Sequence, residues 1–243
     1  MFDYFRFSLP RAVTEQLVER LEQLTSSPLT DDALAKLRAF QAENETAQGV
    51  YVIYEGGAAA YAGKADGLAE RVAEHLWKLR GRQGIDLATV GLKALLLDEN
   101  WSTSANEGLL INHFKAKNEC KWNGSGFGPK DPGKNRDGGE PNWFDNTFPI
   151  RDDYPVENIV DAMTAGAALA QIKQQLPYLF RYDMPPQAAE TPVSLSGVPR
   201  TVRALALTIA KALGAGWQLM LFKNGFTLYR ANKTYSNGTQ LLP

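Results

Sequence analysis

One cysteine, Cys120, and two histidines, His75 and His113, are all that 243 residues contain of either type. A single cysteine makes no internal disulfide and no cysteine-built metal cluster, so the fold must stand on its core. Long apolar runs are missing too. None approaches the roughly 18 residues that cross a bilayer, and Met1–Pro10 sets Asp3 and Arg6 among aromatics, unlike a signal peptide's h-region. A cytoplasmic protein with no membrane segment is the expectation. Charge of one sign is also lacking: Lys plus Arg number 26 against 27 for Asp plus Glu, so net charge gives no sign of a polyanionic partner. Apolar side chains, by contrast, make up 44% of the chain, enough for one large or two small domains, which excludes disorder over most of it.

The charges are unevenly spread. Met1–Gly49 is mildly acidic, whereas His113–Arg136 holds Lys115, Lys117, Lys121, Lys130, Lys134 and Arg136 against Glu119 and Asp131. A basic segment of this kind is either a phosphate-facing loop or a solvated charged one, and its context has to decide.

Periodicity predicts an α+β fold. Val13, Leu17, Leu21 and Leu24 form one helical stripe, and Leu34, Leu37 and Phe40, after an Asp31 cap, form a second, the two split near Pro28. Gly49–Tyr54 and Ala60–Gly63, joined through Glu55-Gly56-Gly57, read as a β-hairpin. A helix on Leu68, Val72, Leu76 and Leu79, a strand over Thr89–Leu97 and a helix from Ser104 through Phe114 complete a ββαβα order. Lys121–Pro149 is rich in glycine and proline without periodicity, the mark of a functional or disordered loop. Ile159–Leu176 then suggests a helix, Pro185–Pro192 a linker, Val202–Leu213 a helix closed by Gly214, and Asn224-Gly225 the turn of a second hairpin. The expected organisation is an N-terminal helical arm over 1–47, a small domain with a three-stranded antiparallel sheet flanked by helices over 48–154, and a C-terminal helical linker with a helix and β-hairpin unit over 155–243.

Residues suited to chemistry fall on these elements in a definite order. Gly49-Val50-Tyr51 and Tyr61-Ala62-Gly63-Lys64 occupy the two hairpin strands. Arg71 and His75 follow as an i, i+4 pair on one helix face. Glu107 lies in the first turn of the helix after the third strand. Beyond it come Trp122-Asn123, Gly126-Phe127-Gly128, Asp131-Pro132-Gly133, Arg136 and Trp143-Phe144-Asp145. Taken singly, each has an ordinary explanation: sheet tyrosines, a surface histidine, an arginine paired with Glu70 or Glu74, a first-turn glutamate, turn residues. Their joint order resembles the GIY-YIG nuclease superfamily, and the later string resembles its type II restriction endonuclease branch, over about Gly49 to Arg151. Asn123 is preferred to Asn118 as the motif's asparagine because the tryptophan and the Gly-Phe-Gly accompany it.

These side chains also make chemical sense for phosphodiester hydrolysis, which needs a base, charge neutralisation and leaving-group stabilisation. Glu107 offers a hard carboxylate for Mg²⁺, Arg71 a fork for a phosphate oxygen, and Tyr51, a poor base at neutral pH with a free pKa of about 10, has His75 within reach as a proton acceptor. The resemblance implies that Tyr51 positions or deprotonates water, that His75 relays its proton, and that Glu107 holds one Mg²⁺, with Mn²⁺ as a substitute. It further implies that Tyr61 contacts phosphate or helps order water, that Asn123 bonds near the scissile group, and that Lys64 sits at the site's edge. Lys64, Lys121, Lys130, Lys134 and Arg136 are the expected DNA contacts, the last three on phosphates or on guanine edges. The implied activity is a sequence-specific endonuclease acting as a homodimer on double-stranded DNA, with a cognate DNA methyltransferase as neighbour. The competing readings are a phage-defence or repair nuclease whose C-terminal unit senses modified DNA or a partner protein, and a DNA-binding module without catalysis.

Overall fold

The computed structural model describes residues 8–97, 104–117, 119–128, 133, 134 and 137–242. The chain is mixed α+β and divides into two compact units. Met1–Trp77 with Asp86–Gly128 forms the first, and Lys78–Ile85 with Pro129–Pro243 the second. Among the described residues no helix is long and apolar enough to cross a membrane.

The first unit opens with α1 (Leu9–Gln23), a two-residue strand β1 (Ser27–Pro28) and α2 (Asp31–Glu43). The hydroxyl of Thr30, not the Asp31 carboxylate, caps α2 by accepting from the Ala33 amide, and Asp31 and Asp32 fall in the first turn. Then follow β2 (Gly49–Glu55), β3 (Ala58–Ala65), α3 (Leu68–Arg80, running into the second unit's first residues), β4 (Val90–Leu96) and α4 (Ser104–Ala116). The sheet order is β1-β4-β2-β3, with every neighbour antiparallel. Three strands were legible from local pattern. The fourth, β1, exists because Ser27 and Pro28 lie opposite Leu92 and Gly91 at the outer edge of β4, where a proline costs no central ladder bond.

The period-2 pleat of β2 sorts its side chains between two layers. Val50 and Val52 join Leu17, Val18, Leu21, Leu110 and Phe114 of α1 and α4 in one buried cluster. Tyr51 turns the other way, toward α3. Gln41 of α2 ties down the start of α3: its side-chain amide donates to the Ala47 carbonyl while its oxygen accepts from the Ala69 amide.

In the second unit α5 (Trp143–Thr147) precedes β5 (Ala162–Thr164), α6 (Ala165–Gln175), β6 (Leu179–Tyr182), α7 (Pro186–Ala189), β7 (Pro192–Ser194), α8 (Val202–Leu213), β8 (Trp217–Phe222), β9 (Gly225–Arg230) and β10 (Thr239–Leu242). Its main sheet runs β10-β8-β9-β6, with β6 parallel to β9. Three expectations are corrected here. The Ile159–Leu176 helix begins only at Ala165, because Ala162–Thr164 pairs with β7 instead. The Pro185–Pro192 stretch is not a bare linker, since it contains α7 and enters β7. The turn of the second hairpin is Lys223-Asn224, with Gly225 already paired opposite Phe222. Gly225 pairs with Leu179 as well, and a β-carbon there would meet the Leu179 carbonyl carbon at 2.8 Å, so the close parallel approach of β6 requires glycine. Around this sheet Leu169, Ile172, Phe180, Leu205, Ile209, Trp217, Phe226 and Leu228 share one core.

Candidate active site

The register of β2 and β3 sets Tyr51 opposite Gly63 and Ile53 opposite Tyr61, so both tyrosines project on the side of the sheet that faces α3. The Tyr51 hydroxyl lies 2.8 Å from Nε2 of His75, one turn after Arg71 on α3. Tyr51 is fully buried and His75 only 2% exposed. Phe127 stacks on the imidazole with ring centres 4.7 Å apart and planes 21° from parallel, and the Tyr61 ring lies 5.0 Å away. The histidine is therefore walled by aromatic faces, with one ring nitrogen on the Tyr51 hydroxyl.

Burial pushes the Tyr51 phenol well above its ordinary range, and the neighbouring Tyr61 adds to the rise while the Arg71 guanidinium works against both. A phenol so raised keeps its proton, and it donates that proton to Nε2 where the imidazole carries its own proton on Nδ1. The guanidinium of Arg71 donates to Glu74 at 2.7 Å and to the Gly128 carbonyl at 3.1 Å, its side chain about a quarter exposed. Arg71 is thus the more open member of the group, already oriented by two oxygen acceptors.

Two glycines make this packing possible. A β-carbon on Gly63 would stand 2.6 Å from the Tyr51 hydroxyl oxygen, and one on Gly128 would stand 2.9 Å from that of Tyr61. Both distances are below any real carbon contact, so Tyr61-Ala62-Gly63 and Gly126-Phe127-Gly128 are space requirements of the two phenols. The sequence presented these glycines as motif letters without a role.

Asn123 is brought beside the hairpin, and both ends of its amide are engaged. Its oxygen accepts from the Ala62 amide at 2.9 Å and its nitrogen donates to the Ala62 carbonyl at 2.8 Å. The amides of Cys120 and Trp122 donate to the Ala59 and Ala60 carbonyls. Cys120–Asn123 thereby runs along the outer edge of β3, with the Asn123 side chain standing in for a strand backbone and covering an otherwise open edge. Through this seam Trp122 and Phe127 reach the wall behind His75, with ring centres 4.8 Å apart.

The other expected residues distribute as follows. Glu107 lies in the first turn of α4, and its side chain falls outside the described residues, as do Lys130 and Arg136. Lys64, one residue before the end of β3, is half-buried and Lys121 is exposed; both belong to the first unit. Lys134 belongs to the second, where its ammonium pairs with Asp183 and lies 4.5 Å over the Tyr229 ring. Asp145 of the Trp143-Phe144-Asp145 string also belongs there, in a buried pair with Arg82 at 2.7 Å. Among the described residues no group of three His, Cys, Asp or Glu side chains is placed to hold a metal ion. No known family model matches the chain, and no curated protein is significantly similar to it.

Proposed function

We propose that this chain is a divalent-metal-dependent DNA endonuclease, a phosphodiester hydrolase of the sequence-specific restriction kind. The observation that carries the reading is the Tyr51–His75 hydrogen bond, enclosed by Tyr61 and Phe127 and flanked by the Arg71 guanidinium. A buried phenol joined to a buried imidazole is a proton path. Water gives a proton to the Tyr51 oxygen as the Tyr51 proton passes to Nε2 of His75, leaving hydroxide to attack phosphorus and an imidazolium behind it. Arg71 supplies two charge-assisted donors for a phosphate oxygen, which would replace Glu74 and Gly128 as their acceptors. Its charge also favours the phenolate over the phenol, opposing burial at the moment the proton moves.

Glu107 would hold the Mg²⁺ or Mn²⁺ ion. A single hard carboxylate suits these ions, which keep several of their waters, and the ion would neutralise charge on the phosphate. Lys64, Lys121, Lys130 and Arg136 are the cations proposed for the duplex backbone, and cutting both strands calls for two copies of the chain related by a twofold. The separate core of the second unit favours, as a second reading, a nuclease whose C-terminal part senses modified DNA or a partner protein.

The test is relaxation and linearisation of supercoiled plasmid in Mg²⁺ or Mn²⁺, scored for wild type, Tyr51→Phe and Glu107→Ala. Wild type cuts, Tyr51→Phe loses about 10²-fold or more in rate, and Glu107→Ala binds DNA without cutting it. Wild-type protein that cuts no DNA in either metal overturns the reading, and full activity in Tyr51→Phe removes the tyrosine from it.

A further inference from the structure

Phe127 stands between two glycines in a stretch without periodicity, where the sequence gives it neither a helix face nor a strand face. It is nevertheless only 1% exposed, and its neighbours are rings of the candidate site, all within the first unit. The His75 imidazole lies nearly parallel to it, with ring centres 4.7 Å apart and planes 21° from parallel. Tyr61 meets it edge-on at 5.1 Å, and Trp122 tilts against it at 4.8 Å. The next residue, Gly128, offers its carbonyl to Arg71 at 3.1 Å. Two consecutive residues therefore touch His75, Tyr61 and Arg71, groups on which the proposed hydrolysis depends. Any apolar side chain of the right volume fills a core. A flat face laid along an imidazole does something further.

The torsion that turns an imidazole about its Cβ–Cγ bond is broad, with two wells half a turn apart. Turning the ring over exchanges Nε2 with Cε1, so a carbon would face the Tyr51 hydroxyl where the nitrogen now stands 2.8 Å from it. To turn, the ring has to sweep its edge through the space in front of its face, and Phe127 fills that space. Phe127 is backed in turn. The Trp122 amide donates to the Ala60 carbonyl of β3 at 2.9 Å, and the Trp122 carbonyl accepts from the Ser125 hydroxyl at 2.8 Å, which fixes the indole behind it.

We propose that Phe127 is a positioning residue for the proton transfer: its ring, backed by Trp122, holds the His75 imidazole in the orientation that keeps Nε2 on the Tyr51 hydroxyl. This rests on the endonuclease reading above. A proton acceptor already in register spares the reaction the cost of finding it, and small misplacements of a reacting group are expensive.

The experiment compares plasmid cleavage in Mg²⁺ by full-length wild type, Phe127→Leu, His75→Ala and the double variant, with thermal melting of each. Heteronuclear NMR of the histidine side chains, at about pH 8 and so above the ordinary histidine range, accompanies it, and His75→Ala assigns the His75 signals. Phe127→Leu should lower kcat by about tenfold and leave KM within about twofold of wild type. In the His75→Ala background the same substitution should cost nothing further, because no imidazole is left to hold. Wild-type His75 should show a single neutral tautomer with its proton on Nδ1, and Phe127→Leu a mixture. Rate losses that multiply in the double variant make Phe127 a core residue alone and overturn the proposal, as does Phe127→Leu cutting with wild-type kcat. If Phe127→Leu does not fold, a wild-type His75 without that single tautomer is enough to overturn it. A wild-type protein that cuts no DNA overturns the endonuclease reading together with this one, whereas a wild type that cuts with mixed His75 tautomers overturns the positioning role alone.

Discussion

Gly63 and Tyr51 face each other across β2 and β3 so closely that a β-carbon on the glycine would lie 2.6 Å from the tyrosine hydroxyl oxygen and 2.7 Å from its ring carbon Cζ. The same carbon would come within 2.9 Å of Tyr61. Gly63→Ala should therefore destabilise the protein by about 1–3 kcal/mol, the usual cost of overpacking a filled core. It should also break the Tyr51–His75 bond by moving the phenol, so plasmid cleavage should fall further than the loss of folded protein explains. Gly108→Ala is the control. In α4 a β-carbon at that position meets nothing within 4 Å, and alanine there should stabilise by about 0.5–1 kcal/mol. Urea denaturation of both variants checks the pair, and a Gly63→Ala protein as stable as wild type would contradict the geometry.

The buried Arg82–Asp145 pair supports the second unit rather than any chemistry. Arg82 also donates to the Phe148 carbonyl at 3.0 Å, and Asn142 donates to the other Asp145 oxygen at 2.7 Å. Burial opposes the charge on Arg82, and Asp145 offsets that opposition. Asp145→Ala should cost about 3–5 kcal/mol by leaving a guanidinium buried without its carboxylate, while the double change Arg82→Met with Asp145→Leu should recover most of the loss. Equilibrium unfolding of the single and double variants gives the comparison. A single variant as stable as wild type would show that the charge is not confined.

Alkaline pH should unfold the protein through its buried phenols. Burial raises Tyr51 and Tyr178 far above the ordinary value and pushes Tyr54 up to about 12. A folded-state pKa above the unfolded value of about 10 means that the folded form prefers the proton. The resulting stability is complete below pH 10 and is lost as pH climbs through the raised values. In a titration followed at 295 nm, Tyr51 and Tyr178 should ionise only together with loss of secondary structure. The Cys120 thiol, fully buried and likewise pushed up to about 12, should resist a thiol reagent at pH 9 until denaturant is added. Tyrosines that all titrate near pH 10 in a folded protein, or a reactive Cys120, would contradict this burial.

What could be read from sequence was whatever a local pattern encodes. The stripe Leu68, Val72, Leu76 and Leu79 is helical on its face, and the α3 register puts Arg71 and His75 on one side of it. What could not be read was pairing between distant segments. Ser27–Pro28 has no strand propensity and becomes one because β4 offers a free edge; β6 is extended beside β9, which lies far along the chain. Asn123 shows the same limit within the site. Its position was legible, but nothing in an asparagine announces that its amide will take the place of a strand at Ala62. Nor does a glycine letter say which phenol needs the space.

The second unit is built from two pieces of chain, Lys78–Ile85 and Pro129–Pro243, with Asp86–Gly128 of the first unit between them. During synthesis the early piece emerges long before the residues it needs. Arg82 is made 63 residues ahead of Asp145, a delay of several seconds at about 5–20 residues per second. Throughout that interval its guanidinium must stay in water, while α3, whose last turn it follows, can already form on its own hydrogen bonds. Completion of the second unit therefore waits on the later piece of chain, and a ribosome halted after α4 would hold a chain able to build the β2–β3 hairpin but not to bury Arg82.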